Sequence, residues 1–493
     1  MKRRVAGLFL ALASELVRAQ QPYRPEIPKT WDPVALTTLE VPNADPSRSP
    51  VAVPVEYYGR VPVRPVYRTY SVYAPGREPA GYLAWLQKQE PQITFDPKRL
   101  HSSEDWTKAG EFVFDAPFGF DFAFTVNDVR SKAWFEHVKP PLTPDGIMPF
   151  ATYVIRRKGE VELGTFACRM CHTRVLPDGK VIKGAQGNFA VDRAVALVLR
   201  RSSAEAARNI YRTLAGAPWL KPDPADEANN LSAEEIAAAF DENPAGVIVR
   251  HRSSMRYPTA IPDLIGIKGR HFLDRTGLVQ HRDVGDLMRY AALNNEMDFL
   301  SSFGGFIPSG ENYRTLPDPA TQLRYSDEQL YALALYLYSL EPPANPNKPS
   351  DVTRQGQKVF NEVCSGCHTP PLYTNNRLLP APGFTPPAAH RAKFEVMPVE
   401  IGTDPGLTLN TRRGTGYYKV PSLKGVWYRG PFEHDGSVAT LEDWLDPKRL
   451  SPEYVPTGFK GYGAKTRAVR GHEFGLTLSA DDKKALIAFL KTL

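Results

Sequence analysis

All four cysteines of the chain fall in two copies of one five-residue pattern. The first is Cys168-Arg169-Met170-Cys171-His172 and the second is Cys364-Ser365-Gly366-Cys367-His368. A C-x-x-C-H run puts two thiols on one helical turn, three residues apart, with an imidazole beside them. That spacing suits covalent attachment of a porphyrin. The thiols reach the vinyl groups on one edge, and the histidine binds iron from the proximal face. The pattern therefore predicts two covalently bound haem c groups, held by Cys168, Cys171, Cys364 and Cys367, with His172 and His368 as iron ligands. With cysteine this rare, one chance match has odds on the order of one in a thousand, and two are far rarer. A four-thiolate zinc site would also use two C-x-x-C pairs. It needs no histidine after either, and its pairs seldom lie about two hundred residues apart. A disulfide framework is the remaining option in an oxidising compartment, but cysteines confined to two identical motifs point to a more specific use.

The compartment is read from the first residues. Lys2, Arg3 and Arg4 form a positive n-region, Val5 to Ala13 a short apolar stretch, and Val17-Arg18-Ala19 a small-residue cleavage site that leaves Gln20 first in the mature chain. The apolar run is about half the ~20 residues of a membrane span, which favours a cleaved signal over an uncleaved anchor. The mature protein is expected to be periplasmic or secreted, with no membrane span after signal cleavage. Residues 1–19 hold +3 of the formal +7 charge, and the four propionates of two haems would offset the remainder. Nothing in that balance calls for a nucleic-acid partner.

A hydrophobic content of 42% in 493 residues supports two or three cores. The 46 prolines and 36 glycines predict much ordered loop around few long helices. Gly356 and Phe360 sit four apart on a predicted helix leading into Cys364. A closing helix is predicted over about 479–493, where Ser479 with Asp482 makes a cap and Leu486, Ile487, Leu490 and Leu493 make an apolar stripe. A matching helix follows the first motif, with a Ser326/Gln329 capping box and a stripe of Leu330, Leu333, Leu337 and Leu340. Pro342 and Pro343 stop it, and four prolines within 341–350 mark a linker. The expected fold is mainly α with extensive irregular loop. Its parts are a signal peptide (1–19), an irregular N-terminal extension (20–145) with short strands near Tyr67 to Tyr73, a first cytochrome-c-like haem domain (146–341), a Pro-rich linker (342–350) and a second haem domain (351–493).

The two tandem motifs occur together with Tyr418-Lys419-Val420-Pro421-Ser422-Leu423-Lys424-Gly425-Val426 and with Gly430-Pro431-Phe432-Glu433-His434-Asp435-Gly436-Ser437-Val438-Ala439-Thr440-Leu441-Glu442. In this the chain resembles the bacterial dihaem cytochrome c peroxidase superfamily. The wide separation of the motifs and the run Cys367-His368-Thr369-Pro370-Pro371-Leu372-Tyr373-Thr374-Asn375-Asn376 look closest to its rubber oxygenase-like branch. The resemblance is strong over about 350–493, fair over about 145–345 and unrecognised before that. It implies an oxidoreductase in which the His172 haem activates peroxide or dioxygen while the His368 haem relays electrons. The peroxidase branch implies a small redox protein as electron donor, and the oxygenase branch an apolar alkene substrate. The alternative is a non-catalytic electron-transfer cytochrome with both haems six-coordinate.

For the sixth ligand of the second haem the resemblance favours His472, in Gly471-His472-Glu473-Phe474-Gly475. Met397 and His434 are the other candidates, methionine being a ligand that raises haem potentials. Peroxidases of the superfamily place a distal histidine soon after the first motif. This chain has none between His172 and His251, and residues 191–214 read as helix there, which favours an open or weakly closed first iron. Residues 276–283, Met288-Arg289-Tyr290, Asn294 and Asn295 are candidates to line its pocket. His281 is the candidate acid–base residue, or else a hydrogen-bonded structural histidine beside Arg282 and Asp283. His251, His271, Met255 and Met288 read as packing residues. Trp219 is either core or part of an electron path.

Overall fold

The computed structural model describes residues 23–122, 124–250, 252–295 and 299–493. The predicted signal segment and His251 lie outside them.

The first motif is carried by a sheet. Strand β1 (Thr69–Tyr73) alternates, with Tyr70 and Val72 buried between half-exposed neighbours. Helix α1 (Ser103–Asp115) follows, capped by Ser102 and Asp105. Strand β2 (Gly119–Phe120) is short, and β3 (Ile147–Val154) is buried along nearly its whole length, as a central strand covered on both faces must be. Strand β4 (Glu162–Thr165) ends three residues before Cys168. The four pair antiparallel in the order β1-β3-β4-β2, with a register shift at Ser71/Val72. Helix α2 (Cys168–Cys171) is the motif's single turn.

Beyond it lie α3 (Val191–Arg201), α4 (Val284–Asn295) and α5 (Asp327–Ser339), the last opened by the Ser326/Gln329 capping box. Residues 340–350 form no helix or strand. The second half begins with α6 (Asp351–Val363), crosses a two-stranded ribbon of β5 (Leu378–Pro380) and β6 (Tyr417–Lys419), and closes with α7 (Ala480–Leu490), capped by Ser479.

Two helix crossings repeat one design. A Cβ built on Gly110 of α1 would lie 1.9 Å from the carbonyl oxygen of Ala332 and 2.8 Å from Cβ of Tyr336 on α5. On Gly356 of α6 it would lie 1.9 Å from the carbonyl oxygen of Ala485 and 2.9 Å from Cβ of Phe489 on α7. Only glycine lets either pair of backbones come so close. One turn further along each first helix an aromatic ring packs on the second. Phe114 meets Tyr336 with centroids 5.4 Å apart, and Phe360 meets Phe489 at 5.2 Å. Each crossing is the centre of a core, the larger built around Trp106, Val113, Leu330 and Leu333, the smaller around Val359, Leu445 and Leu486.

The expected mainly α architecture with an irregular extension is corrected on two counts. Helix makes up 35% and strand 12% of the described residues, whose strands form six small sheets. The residues of 20–145 are also built into the first half: β1 pairs with β3, and α1 is the partner of α5. The physical reason is that Thr-Tyr-Ser-Val-Tyr and Ile-Met-Pro-Phe-Ala-Thr-Tyr-Val are rich in β-branched and aromatic residues that satisfy each other only across a ladder. The helix that packs under the first motif lies far upstream of it, with three of the sheet's four strands between.

Candidate functional site

At the first motif, the N–H of His172 donates to the carbonyl of Cys168 (2.9 Å), closing the turn that puts both thiols and the imidazole together. Arg169 fixes this turn to the scaffold. Its Nε donates to Pro149 O on β3 (2.8 Å), and its guanidinium lies 3.5 Å from Asp115 at the end of α1. Nδ1–H of His172 donates to the carbonyl of Pro262 (3.1 Å). That bond fixes the tautomer and leaves Nε2 unprotonated, the arrangement that a metal-binding histidine needs. Burial, reinforced by Arg250, pushes the imidazole down to about 4, so it is neutral, as a metal ligand must be.

The second motif follows directly from α6. Its turn is closed by His368 N–H donating to Cys364 O (3.0 Å), and Nδ1–H of His368 donates to Tyr373 O (3.0 Å). Burial, then the neighbouring His472, pushes His368 down to about 4. The ring of His472 stands opposite, 6.2 Å centre to centre and inclined by 56°. Two imidazoles bonded to one metal at about 2 Å each have ring centres roughly 6 Å apart. The gap therefore has the width that an iron between two histidines requires.

The loop that carries His472 is held tightly. Its φ is +45°, in the left-handed region that a non-glycine residue occupies only when its surroundings impose it. The fully buried Arg449 imposes it: Nη2 donates to His472 O (2.8 Å), Nη1 to Val469 O (2.6 Å) and Nε to Trp444 O (3.0 Å). His472 N–H donates to Ile401 O (2.8 Å). The Trp444 ring packs edge-on at 5.1 Å. Its Nε1–H donates a long hydrogen bond to Nδ1 of His472 (3.3 Å), so bond and ring packing together set the orientation.

The other candidates are placed elsewhere. Met397 accepts a contact from Asn375 Nδ2 at 3.2 Å. His434 is buried 3.4 Å from Glu433. Burial opposes its charge, but Glu433 and Asp435 outweigh it and hold the imidazole above its ordinary value, the opposite of what a ligand needs. His281 is buried with Nδ1 2.7 Å from Arg270 O and Nε2 2.6 Å from Tyr338 Oη. Both nitrogens are thus engaged by the scaffold, and His281 clamps α5 to its own loop. His271 is exposed beside Glu395. Met255 and Met288 are buried in cores. Trp219 stacks on Phe303 at 5.9 Å.

A polar cluster beside the first motif has little sequence mark. Tyr290 donates to Asp274 (3.3 Å), Arg252 pairs with Asp274 (3.4 Å), and Asn294 accepts from Arg250 and Arg252. Burial favours protonation of Asp274, but the two arginines outweigh it and hold the carboxyl well below the usual range. Burial pushes the Tyr290 hydroxyl up to about 12, so it keeps its proton. Of these residues, only Tyr290 and Asn294 are among the sequence candidates; arginines that pair across distant loops carry no local pattern.

The thiols also separate the chemistries. Burial pushes Cys168 up to about 12 and Cys171 and Cys364 up to about 11, whereas a redox-active C-x-x-C pair needs a lowered thiol. Among the described residues no three His, Cys, Asp or Glu side chains converge, so the two cysteine pairs do not meet in a four-thiolate cage. No helix among the described residues is long and apolar enough to cross a membrane.

No family model matches the chain. An uncharacterized protein, y4iJ, of Sinorhizobium fredii is 27% identical over an aligned part that covers 31% of this chain and 41% of that protein, so the chain spans less than half the length of this relative. Among solved structures it is similar to hydrazine synthase of Kuenenia stuttgartiensis, at 13% identity, a TM-score of 0.29 and coverage of 60% of this chain and 92% of the other. A MauG-like protein associated with microbial copper homeostasis is 19% identical with a TM-score of 0.21, covering 34% and 56%. The functional reading therefore rests on this chain's own residues.

Proposed function

We propose that the protein is an exported dihaem c-type cytochrome that acts as an oxidoreductase, with peroxide or dioxygen activated at the His172 site and electrons relayed through the His368 site. The observation that carries this is the pairing of His368 with His472 across 6.2 Å, beside a motif whose two thiols form no disulfide and are kept protonated by burial. When bound, an iron porphyrin would supply one-electron redox chemistry and the activation of small oxidants.

The chain's residues make the two sites unequal. At the second, His368 and His472 would hold the iron between them, and Arg449 and Trp444 keep the second imidazole in place, which would favour fast electron transfer over ligand exchange. At the first, His172 is fixed by Pro262, and the nearby charge comes from Arg250, with Arg252, Asp274 and Tyr290 behind it. Arg250 stabilises negative charge that develops at this site, and the Tyr290–Asp274 pair holds a proton close by. The resemblance to dihaem cytochrome c peroxidases and their rubber oxygenase-like branch supports the same division, with a small redox protein as donor or an apolar alkene as substrate.

Electronic and EPR spectra of the matured protein test it. One low-spin and one high-spin haem, the latter binding cyanide or carbon monoxide, is the expected result. Two low-spin haems that both resist these ligands would instead make the protein a pure electron carrier.

A further inference from the structure

Between His172 and His368 lies a cavity that neither imidazole enters. Pro262, whose carbonyl orients His172, lines one side, and Pro421, whose backbone is hydrogen-bonded to His368, lines the other. Four cations, Arg270, Arg275, Lys419 and Arg429, share its walls.

None of the four is neutralised by the protein in the ordinary way. Arg275 donates to Ala260 O (2.9 Å) and Ile261 O (3.1 Å), Arg270 to Ile265 O (2.6 Å), Arg429 to Ser422 O (2.8 Å) and Lys419 to Phe272 O (3.3 Å). Every one of these acceptors is a backbone carbonyl. Among the described residues none of the four makes an ion pair. Nε of Arg270 and Nε of Arg429 are buried with no acceptor at all. The nearest carboxylates are committed: Asp263 accepts from Tyr428 (2.9 Å) and Ile265 N (2.7 Å), and Asp274 from Arg252, Tyr290 and its own neighbour's N–H. Burial, then Arg270 and Arg275, drives Lys419 well below its ordinary value. Gathering like charges away from water is costly unless a counter-charge joins them. The orphaned donors say that a polyanionic group with several acceptor oxygens belongs here.

We propose that Arg270, Arg275, Lys419 and Arg429 form one cationic seat for the carboxylate groups of both porphyrins, so that the two haems share a single electrostatic lock. The proposal rests on the dihaem reading above. A porphyrin tethered by its vinyl edge carries its two carboxylates on the far edge, and two such groups bring four carboxylates to four cations. The seat then does two things: it clamps the halves of the chain together through the cofactors, and it raises the potentials of both haems together.

The test uses the matured dihaem protein and its Lys419→Met and Lys419→Arg variants in a spectroelectrochemical titration. Lys419→Met should favour the ferric form of both haems by about tenfold at fixed potential, which for a one-electron couple is about 59 mV. Lys419→Arg should restore most of that shift. If Lys419→Met fails to mature, Arg429→Gln must move both haems in the same direction. Unshifted potentials, or a shift in one haem alone, overturn the shared seat. A second arm adds inorganic phosphate to the unaltered protein. Potentials that do not respond support porphyrin carboxylates, whereas phosphate-dependent potentials assign the cations to an exchangeable solution anion and overturn the proposal. A mass equal to the bare polypeptide would remove the dihaem reading itself, whereas two added haem masses with unmoved potentials remove only this inference.

Discussion

His472 faces His368 at 6.2 Å while its own backbone sits at a φ of +45°. A histidine in that conformation is about 1 kcal/mol or more worse off than a glycine would be, so the side chain is retained for its contact across the gap. His472→Ala should convert one low-spin haem into a high-spin species that binds carbon monoxide, and His472→Met should keep it low-spin at a higher potential. EPR and a redox titration read both outcomes. An unchanged low-spin count in the alanine variant would return the ligand role to Met397.

Arg449 holds three carbonyls of the loops around His472. Arg449→Met leaves those acceptors buried without donors, at a cost of about 1–3 kcal/mol each before the loop relaxes. The second haem should then become partly high-spin, to a degree that increases with temperature, while Arg449→Lys recovers part of the low-spin fraction. Variable-temperature absorption spectra separate this from a general loss of stability, because the first haem should not change.

The glycines at the helix crossings allow a direct steric test. An added methyl at Gly356 or Gly110 would meet backbone at 1.9 Å. Gly356→Ala and Gly110→Ala should each destabilise their half by about 3 kcal/mol or more, at the upper end of overpacking costs because a carbonyl cannot rotate away as a side chain can. Calorimetry should show a lower Tm for each, whereas the same change at the unobstructed Gly366 should be nearly silent.

Asp192 sets a pH dependence. It is buried at the start of α3 and accepts from Asn243 Nδ2 (2.6 Å) and Val249 N (2.7 Å), but burial outweighs these bonds and raises the carboxyl to about 8. The folded state therefore favours the protonated acid. Stability is complete below the ordinary carboxylate range and is lost as pH rises through about 8, at up to ~1.4 kcal/mol per unit. Asp192→Asn, which keeps an acceptor oxygen and cannot ionise, should flatten the decline between about pH 4 and pH 8 in denaturant titrations. A decline of the same slope in the asparagine variant would clear Asp192 of responsibility.

Legibility in the sequence followed the range of the interaction. Motif, caps and stripes are local, so Cys168 to His172, Cys364 to His368 and the Ser326 and Ser479 caps could be read directly. His472 was singled out through the family resemblance, by its place before the closing helix. Helix α1 was not marked as belonging to the first haem half, because its Gly110-x-x-x-Phe114 spacing matches Gly356-x-x-x-Phe360 but lies well upstream of the motif it supports, with three strands between. Arg449 and the four cavity cations act on backbone carbonyls, and such contacts impose no pattern on the residues that supply the acceptors. His281, a candidate base by type, has both nitrogens taken up by Arg270 O and Tyr338, partners that only the folded chain brings to it.

The crossing of Gly110 with Ala332 joins positions over two hundred residues apart, with the whole of the first motif's surroundings between them. The packing of α1 on α5 beside the first motif therefore cannot form until residues near Ala332 are available to it. Under the dihaem proposal, attachment at Cys168 and Cys171 after export would have the interval before that crossing forms in which to finish.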